Sequence, residues 1–190
     1  MNMRCKGPLE RRTIRYILFA LLAIGGLVLV WANMPNRVWY RNGRPTRLGK
    51  VTNRAMGRYA ALGIPAFRMV TLEVPGRKSG RPTATVLVVA HHEGGEYLIS
   101  MLGTQADWVR NVRAAGDRAV IRHGKSRPVR LLDVPAPERA PILQAYLHVA
   151  PGARPHFPIG PDAPLDEFEL IAAEYPVFRI EEDDADVGAI

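Results

Sequence analysis

The chain of 190 residues has one cysteine, Cys5. That excludes a disulfide framework and any set of thiolates able to hold zinc or an iron–sulfur cluster. Metal-ligand spacing is missing as well: His91, His92, His123, His148 and His156 form no HxxxH pair, so no metal site is expected. No G-x-S-x-G elbow and no Walker loop occurs, which argues against acyl-transfer hydrolysis and nucleotide hydrolysis. Acidic residues are nearly absent from the first 58 positions, where 12 Lys and Arg face only Glu10. Subtracting that +11 from the net charge of +8 leaves residues 59 to 190 at −3. A mildly acidic domain is a poor match for nucleic acid. Basic charge crowded around one apolar segment matches anionic lipid headgroups better.

That segment, Tyr16 to Ala32, lacks charge altogether across 17 residues, about 25 Å as a helix. Tyr16 and Trp31 sit where interfacial aromatic anchors belong, and Gly25 and Gly26 are tolerated in a bilayer. Residues 1–13 therefore read as a basic tail and 14–33 as a single transmembrane helix. A cleaved signal peptide is the alternative, with Val30-Trp31-Ala32 as its cleavage site. Five basic residues precede the segment and five follow it closely, and Arg54 and Arg58 extend the second cluster. The positive-inside rule then favours a cytoplasmic globular domain on a cell membrane.

Residues 34–62 read as a basic connector followed by an amphipathic helix over Thr46 to Leu62, on the spacing of Leu48, Val51, Ala55, Met56, Tyr59 and Leu62. Beyond Gly63 and Pro65, strands are expected at Arg68–Val74, Thr83–His91 and Tyr97–Leu102, separated by PGRKSGRP and HEGGE. Thr104 can cap a helix over Gln105–Ala115. A second hairpin, Ala119–Arg122 with Pro128–Val134, turns across HGKS. Then come a helix at Pro137–Val149, a proline-rich loop at Pro151–Pro164, a helix at Leu165–Glu174 and a strand at Pro176–Ile180. Asp162, Asp166, Glu167 and Glu169 flank a helix start and read as structural. The acidic tail is expected to fray from Glu181. Hairpins with helices in the connections, and no βαβ alternation, point to a small closed or half-open barrel over residues 63–182, with 183–190 as tail.

Chemistry concentrates in Pro75-Gly76-Arg77-Lys78-Ser79-Gly80-Arg81-Pro82. Gly76 and Gly80 permit a turn that aims backbone amides inward, and Arg77, Lys78 and Arg81 add cationic donors. The expectation is a phosphate cradle; the alternative is a solvated charged turn.

The order of strand, GRKSG loop, strand, GG hairpin, strand and then a helix bearing DWVRN resembles the deazaflavin-dependent nitroreductase and quinone reductase family over roughly residues 45 to 180. The resemblance implies an α+β, mainly β fold, a split β-barrel of the FMN-binding type, and use of coenzyme F420. It implies that Arg77, Lys78, Ser79 and Gly80 bind the cofactor's phosphate tail. Around the deazaflavin rings it implies Thr85, Val86, Leu87, Ser100, Met101, Trp108 and Asn111. Trp108 has a second reading as a core anchor. Relatives active on nitroaromatics carry several C-terminal tyrosines, whereas only Tyr146 and Tyr175 occur here, which points away from nitroreduction.

The expected function is membrane-attached hydride transfer from reduced F420 to a lipophilic acceptor such as a quinone, with Ser100 and Tyr146 as candidate proton donors. A coenzyme made inside the cell agrees with a cytoplasmic domain. The rival readings are a split barrel that binds FMN or haem, and a non-enzymatic module tethered to membrane lipids. Oligomeric state is not legible.

Overall fold

The structure, a computed structural model, describes residues 40–41, 44–47, 49, 51 and 68–183. The expected transmembrane helix at 14–33 and most of the amphipathic helix lie outside the described residues. Among the described residues no helix is long and apolar enough to cross a membrane.

Two short strands, β1 (Tyr40–Arg41) and β2 (Arg44–Pro45), pair with each other. The remaining six strands are β3 (Met69–Pro75), β4 (Pro82–His92), β5 (Gly95–Ile99), β6 (Arg118–His123), β7 (Lys125–Asp133) and β8 (Val177–Glu182). They close into an antiparallel barrel in the order β3-β4-β5-β8-β7-β6, with β6 returning to β3. Closure rests on two short seams: three residue pairs join β3 to β6 and three join β5 to β8.

Side chains alternate across the wall as strand geometry demands. Val70, Leu72 and Val74 of β3, Ile121 of β6, Val129 and Leu131 of β7, and Phe178 of β8 fill the interior. The helix α1 (Asp107–Ala114) turns Trp108, Val109 and Val112 into the same core. The opposite face of β4 and β5 presents Ala90, Tyr97 and Ile99 to a second core. There α2 (Ala140–Val149) contributes Leu143, Tyr146 and Leu147, and α3 (Leu165–Ile171) contributes Phe168. Tyr97, Ile99 and Leu98 thus serve two cores from one strand.

Several boundaries differ from expectation for local reasons. The turn before β5 uses Glu93 and Gly94, both at positive φ (46° and 75°), as a two-residue hairpin requires. Gly95 therefore belongs to the strand, where an added Cβ would fall 2.7 Å from the Tyr97 hydroxyl. The strand stops at Ile99, because Ser100 enters a turn closed by the Gly103 amide donating to the Ser100 carbonyl at 3.1 Å. Thr104 does not cap α1: it lies in a short 3₁₀ turn, Gly103–Gln105, and Ala106 takes the cap position with no side-chain bond. Between β6 and β7, Gly124 alone makes the turn at φ 70°. Strand β8 runs through Glu181 and Glu182 instead of fraying, since Arg130 faces Glu181 across the ladder and Arg127 reaches Glu182 at 3.9 Å. Opposite charges in register favour pairing. The helix at 140–149 starts after Arg139, whose buried guanidinium donates to the carbonyls of Val134, Ala172 and Tyr175 and to Asp133.

Candidate cofactor site

The loop Gly76–Arg81 joins β3 to β4 and folds tightly on itself. The Gly76 amide donates to the Arg81 carbonyl at 2.8 Å, and the Ser79 and Gly80 amides donate to the Gly76 carbonyl at 3.1 and 2.7 Å. The Arg81 amide donates to Ser79 Oγ at 3.3 Å. Gly80 sits at φ 65°, where a side chain is strained. Gly76 is buried, and a Cβ there would lie 3.1 Å from the Arg81 carbonyl and 3.2 Å from Thr83 Cγ2. Both glycines are thus needed to make the turn. The amides of Gly76, Ser79, Gly80 and Arg81, however, are committed inside it. Those four do not form the inward-facing cradle expected from the motif, which leaves the side chains and the Lys78 amide as donors to an anion.

A second set of bonds ties the loop to α1. Asn111, buried at 5% exposure, accepts from the Arg77 amide at 3.3 Å and from Arg77 Nη1 at 2.9 Å, and donates from Nδ2 to Thr83 Oγ1 at 3.2 Å. Arg77 Nη2 pairs with Asp107 Oδ1 at 3.0 Å, and its Nη1 also reaches the Asp107 carbonyl at 3.4 Å. Thr83 Oγ1 donates in turn to the Val74 carbonyl at 2.8 Å. Asp107 lies in the first turn of its helix, where a carboxylate is favoured by the exposed amides.

These contacts frame a cavity of about 500 Å³, lined by Gly76, Arg77, Lys78, Ser79, Thr83, Thr85, Asp107, Trp108 and Asn111. A space of this size holds a small-molecule cofactor. The loop supplies polar groups to the cavity lining: Lys78 is exposed and its ammonium has no partner among the described residues. The Ser79 hydroxyl accepts one bond and keeps its proton free to donate. Trp108 lines the cavity too, is 8% exposed and packs edge-on against Phe178 at 5.4 Å. Trp108 is therefore a core anchor and a cavity wall at once. A cavity that combines an ammonium without a partner among the described residues, a hydroxyl and an aromatic wall fits a planar ring carrying an anionic tail.

The structure gathers six of the expected site residues around this cavity: Arg77, Lys78, Ser79, Thr85, Trp108 and Asn111. Gly80 belongs to the loop but not to the lining. Leu87 shares the inward face of β4 with Thr85 and packs at the edge of the barrel core. Val86 points to the outer face, opposite Thr71 of β3. Met101 packs against the second core. Ser100 is 1% exposed and its hydroxyl donates to the Gly103 carbonyl at 2.8 Å. Tyr146 is buried beside Phe157 in the second core. Neither of these two lines the cavity. Asp107 and Thr83 do, and neither was singled out from the sequence. The signal for Asp107 was its place beside Trp108 at a helix start; Thr83 had none beyond lying two residues before Thr85 on the same strand face.

No curated protein matches the chain. Solved structures similar to it include an F420-H2 dependent reductase, 19% identical over 60% of this chain and 94% of its own, with a TM-score of 0.41. A heme binding protein from Mycobacterium smegmatis is 18% identical over 65% of this chain and 50% of its own, at 0.42. An FAD-binding protein from Mesorhizobium loti is 18% identical over 68% and 88%, at 0.40. Likeness at this level leaves the assignment to the family model for F420H(2)-dependent quinone reductase, which matches residues 46–155, 110 of the 190. The loop, the cavity and the DWVRN helix all fall within that match, and the chain belongs to the F420H(2)-dependent quinone reductase family, as an oxidoreductase that uses coenzyme F420.

Proposed function

We propose that this protein reduces a lipophilic acceptor, a quinone in the first instance, while attached to the cytoplasmic face of a membrane through its residues 14–33. The observation that carries the site is one cavity lined by Lys78, Ser79 and Trp108 together. Bound reduced F420 supplies a hydride. The chain's own residues seat the cofactor. Lys78 and the Ser79 hydroxyl take its phosphate, held in place by a loop whose shape Gly76 and Gly80 fix. Thr85 and Trp108 flank the ring. A dry wall and a fixed donor position lower the barrier to hydride transfer by orientation more than by chemistry.

Arg77 acts mainly to fasten the loop to α1, since Asp107 and Asn111 take up its Nη1 and Nη2 donors. Ser100 and Tyr146 are set away from the lining, which favours solvent as the source of the proton that follows the hydride. Membrane attachment brings the enzyme to an acceptor that partitions into the bilayer, and the basic residues on both sides of 14–33 support it.

Purified full-length protein given reduced F420 and a quinone should regenerate the oxidised deazaflavin absorbance, and should sediment with vesicles containing anionic lipid. Lys78→Ala should weaken F420 binding about tenfold, the scale of one charge-assisted hydrogen bond lost at a half-open site. Unchanged affinity in that variant would remove the loop as the phosphate seat. A quinone that leaves the reduced cofactor untouched would remove the acceptor.

A further inference from the structure

A carboxylate is out of place in a cavity built to receive an anion, yet Asp107 lines this one. Its Oδ1 lies 3.0 Å from Arg77 Nη2 and 3.8 Å from Arg110 Nη2. Arg110 does not line the cavity, and its Nη2 donates to the Gln105 carbonyl. Arg81 is exposed and also outside the lining. Among the described residues Arg77 and Lys78 are therefore the two cations of the wall, and the charge of the first is offset by Asp107 in direct contact.

We propose that Asp107 is a specificity-determining residue: by lowering the positive potential of the phosphate seat by one charge, it makes the seat favour a singly charged phosphodiester over a doubly charged phosphomonoester. The inference rests on the assignment of this loop as the phosphate seat. Its physics is a contest between two dependences on charge. Attraction to the seat grows in proportion to the ligand's charge, whereas the cost of taking the ligand out of water grows with the square of that charge. A seat with one effective cation recovers the desolvation of a monoanion more fully than that of a dianion. Removing the carboxylate exposes the charge of Arg77 and tips the contest toward the dianion.

The test uses two probes with the same ring, an oxidised 5-deazaflavin bearing a 5′-phosphate monoester and the methyl diester of that compound. Each is titrated by fluorescence into the full-length protein at about pH 7.5, above the second phosphate ionisation near 6. The native protein should bind the diester more tightly. Asp107→Asn keeps an oxygen to accept from Arg77 but loses the charge, and should shift the affinity ratio toward the monoester by about fivefold. Asp107→Glu should restore the native ratio, and the shift should shrink at about 1 M salt, where screening acts within about 3 Å. Loss of a purely structural contact would weaken both probes alike and show no such salt dependence. An unchanged ratio in Asp107→Asn, with Lys78→Ala still weakening both probes, overturns this inference alone. Lys78→Ala leaving both affinities intact overturns the phosphate seat and this inference with it. Should Asp107→Asn fail to fold, Asp107→Ser makes the same comparison with another uncharged side chain suited to a helix start.

Discussion

Asn111 joins a loop, a strand and a helix through one amide. Its oxygen serves two donors of Arg77 and its nitrogen serves Thr83, so its side chain is better described as a fastening of the cavity rim than as a ring contact. Asn111→Ala leaves the part-buried Arg77 amide without its partner and Arg77 Nη1 with only the longer bond to the Asp107 carbonyl, which should cost about 2 kcal/mol. The midpoint of thermal unfolding should fall by about 5 °C, and cofactor affinity should fall with it, because Lys78 and Ser79 ride on the same loop. A variant with native melting and native affinity would show that water replaces the amide without loss. From sequence, the pairing of GRKSG with DWVRN was legible as a site, and the residue types suited it. What each side chain does there was not. A sequence places Arg77 and Lys78 side by side with equal charge, and only the approach of α1 separates the fastened cation from the one with no partner among the described residues.

At the scale of elements, the six strands of the barrel are legible in number and order, because β-branched runs and turn residues are local signals, whereas the short β1–β2 pair carries no such signal. Their ends moved where tertiary contacts decided them. Strand β8 extended through two glutamates because arginines of β7 stand opposite, and β5 ended early because Ser100 turns toward Gly103. The helix α2 shows the same dependence. Its start is set by Arg139, which no local pattern marks. The guanidinium bridges the turn after β7, at Val134 and Asp133, to the residues between α3 and β8, at Ala172 and Tyr175. It is 9% exposed as a residue. Arg139→Met leaves those carbonyls without donors and should destabilise the protein by about 3 kcal/mol in denaturant unfolding. Since this network lies on the second core, F420 affinity at the cavity should stay near native under folding conditions.

For the whole molecule, stability answers to pH through two groups at the second core. His156 lies in the second core's neighbourhood, where its carbonyl accepts from the Tyr175 hydroxyl at 2.8 Å and Tyr175 stacks on Phe157 at 4.0 Å. Burial lowers the His156 imidazole from its ordinary value of 6.5. Below 6.5 the unfolded chain therefore takes up this proton more readily than the folded one, and stability should decline as pH falls through that range while staying level just above it. Burial, followed by the charge of Glu174, raises the Tyr175 phenol above 10.0. Stability tied to the neutral phenol is complete below 10 and should be lost as pH rises beyond it. Denaturant midpoints measured across pH, with His156→Gln flattening the acid limb, check the first of these; an acid limb unchanged in that variant would assign it to other groups.

The closed ring of β3 to β8 has a further consequence for how the molecule opens. Each strand of the ring is hydrogen-bonded on both sides, so no edge is offered for a foreign strand to join, and no strand can leave without breaking two ladders. The two three-pair seams, β3 with β6 and β5 with β8, are the places where the ring can part. Amide exchange in the ring should begin at those seams, splitting it into a β3-β4-β5 leaf and a β6-β7-β8 leaf. The cavity loop, carried between β3 and β4, would remain with the first leaf while most of the interior was already wet.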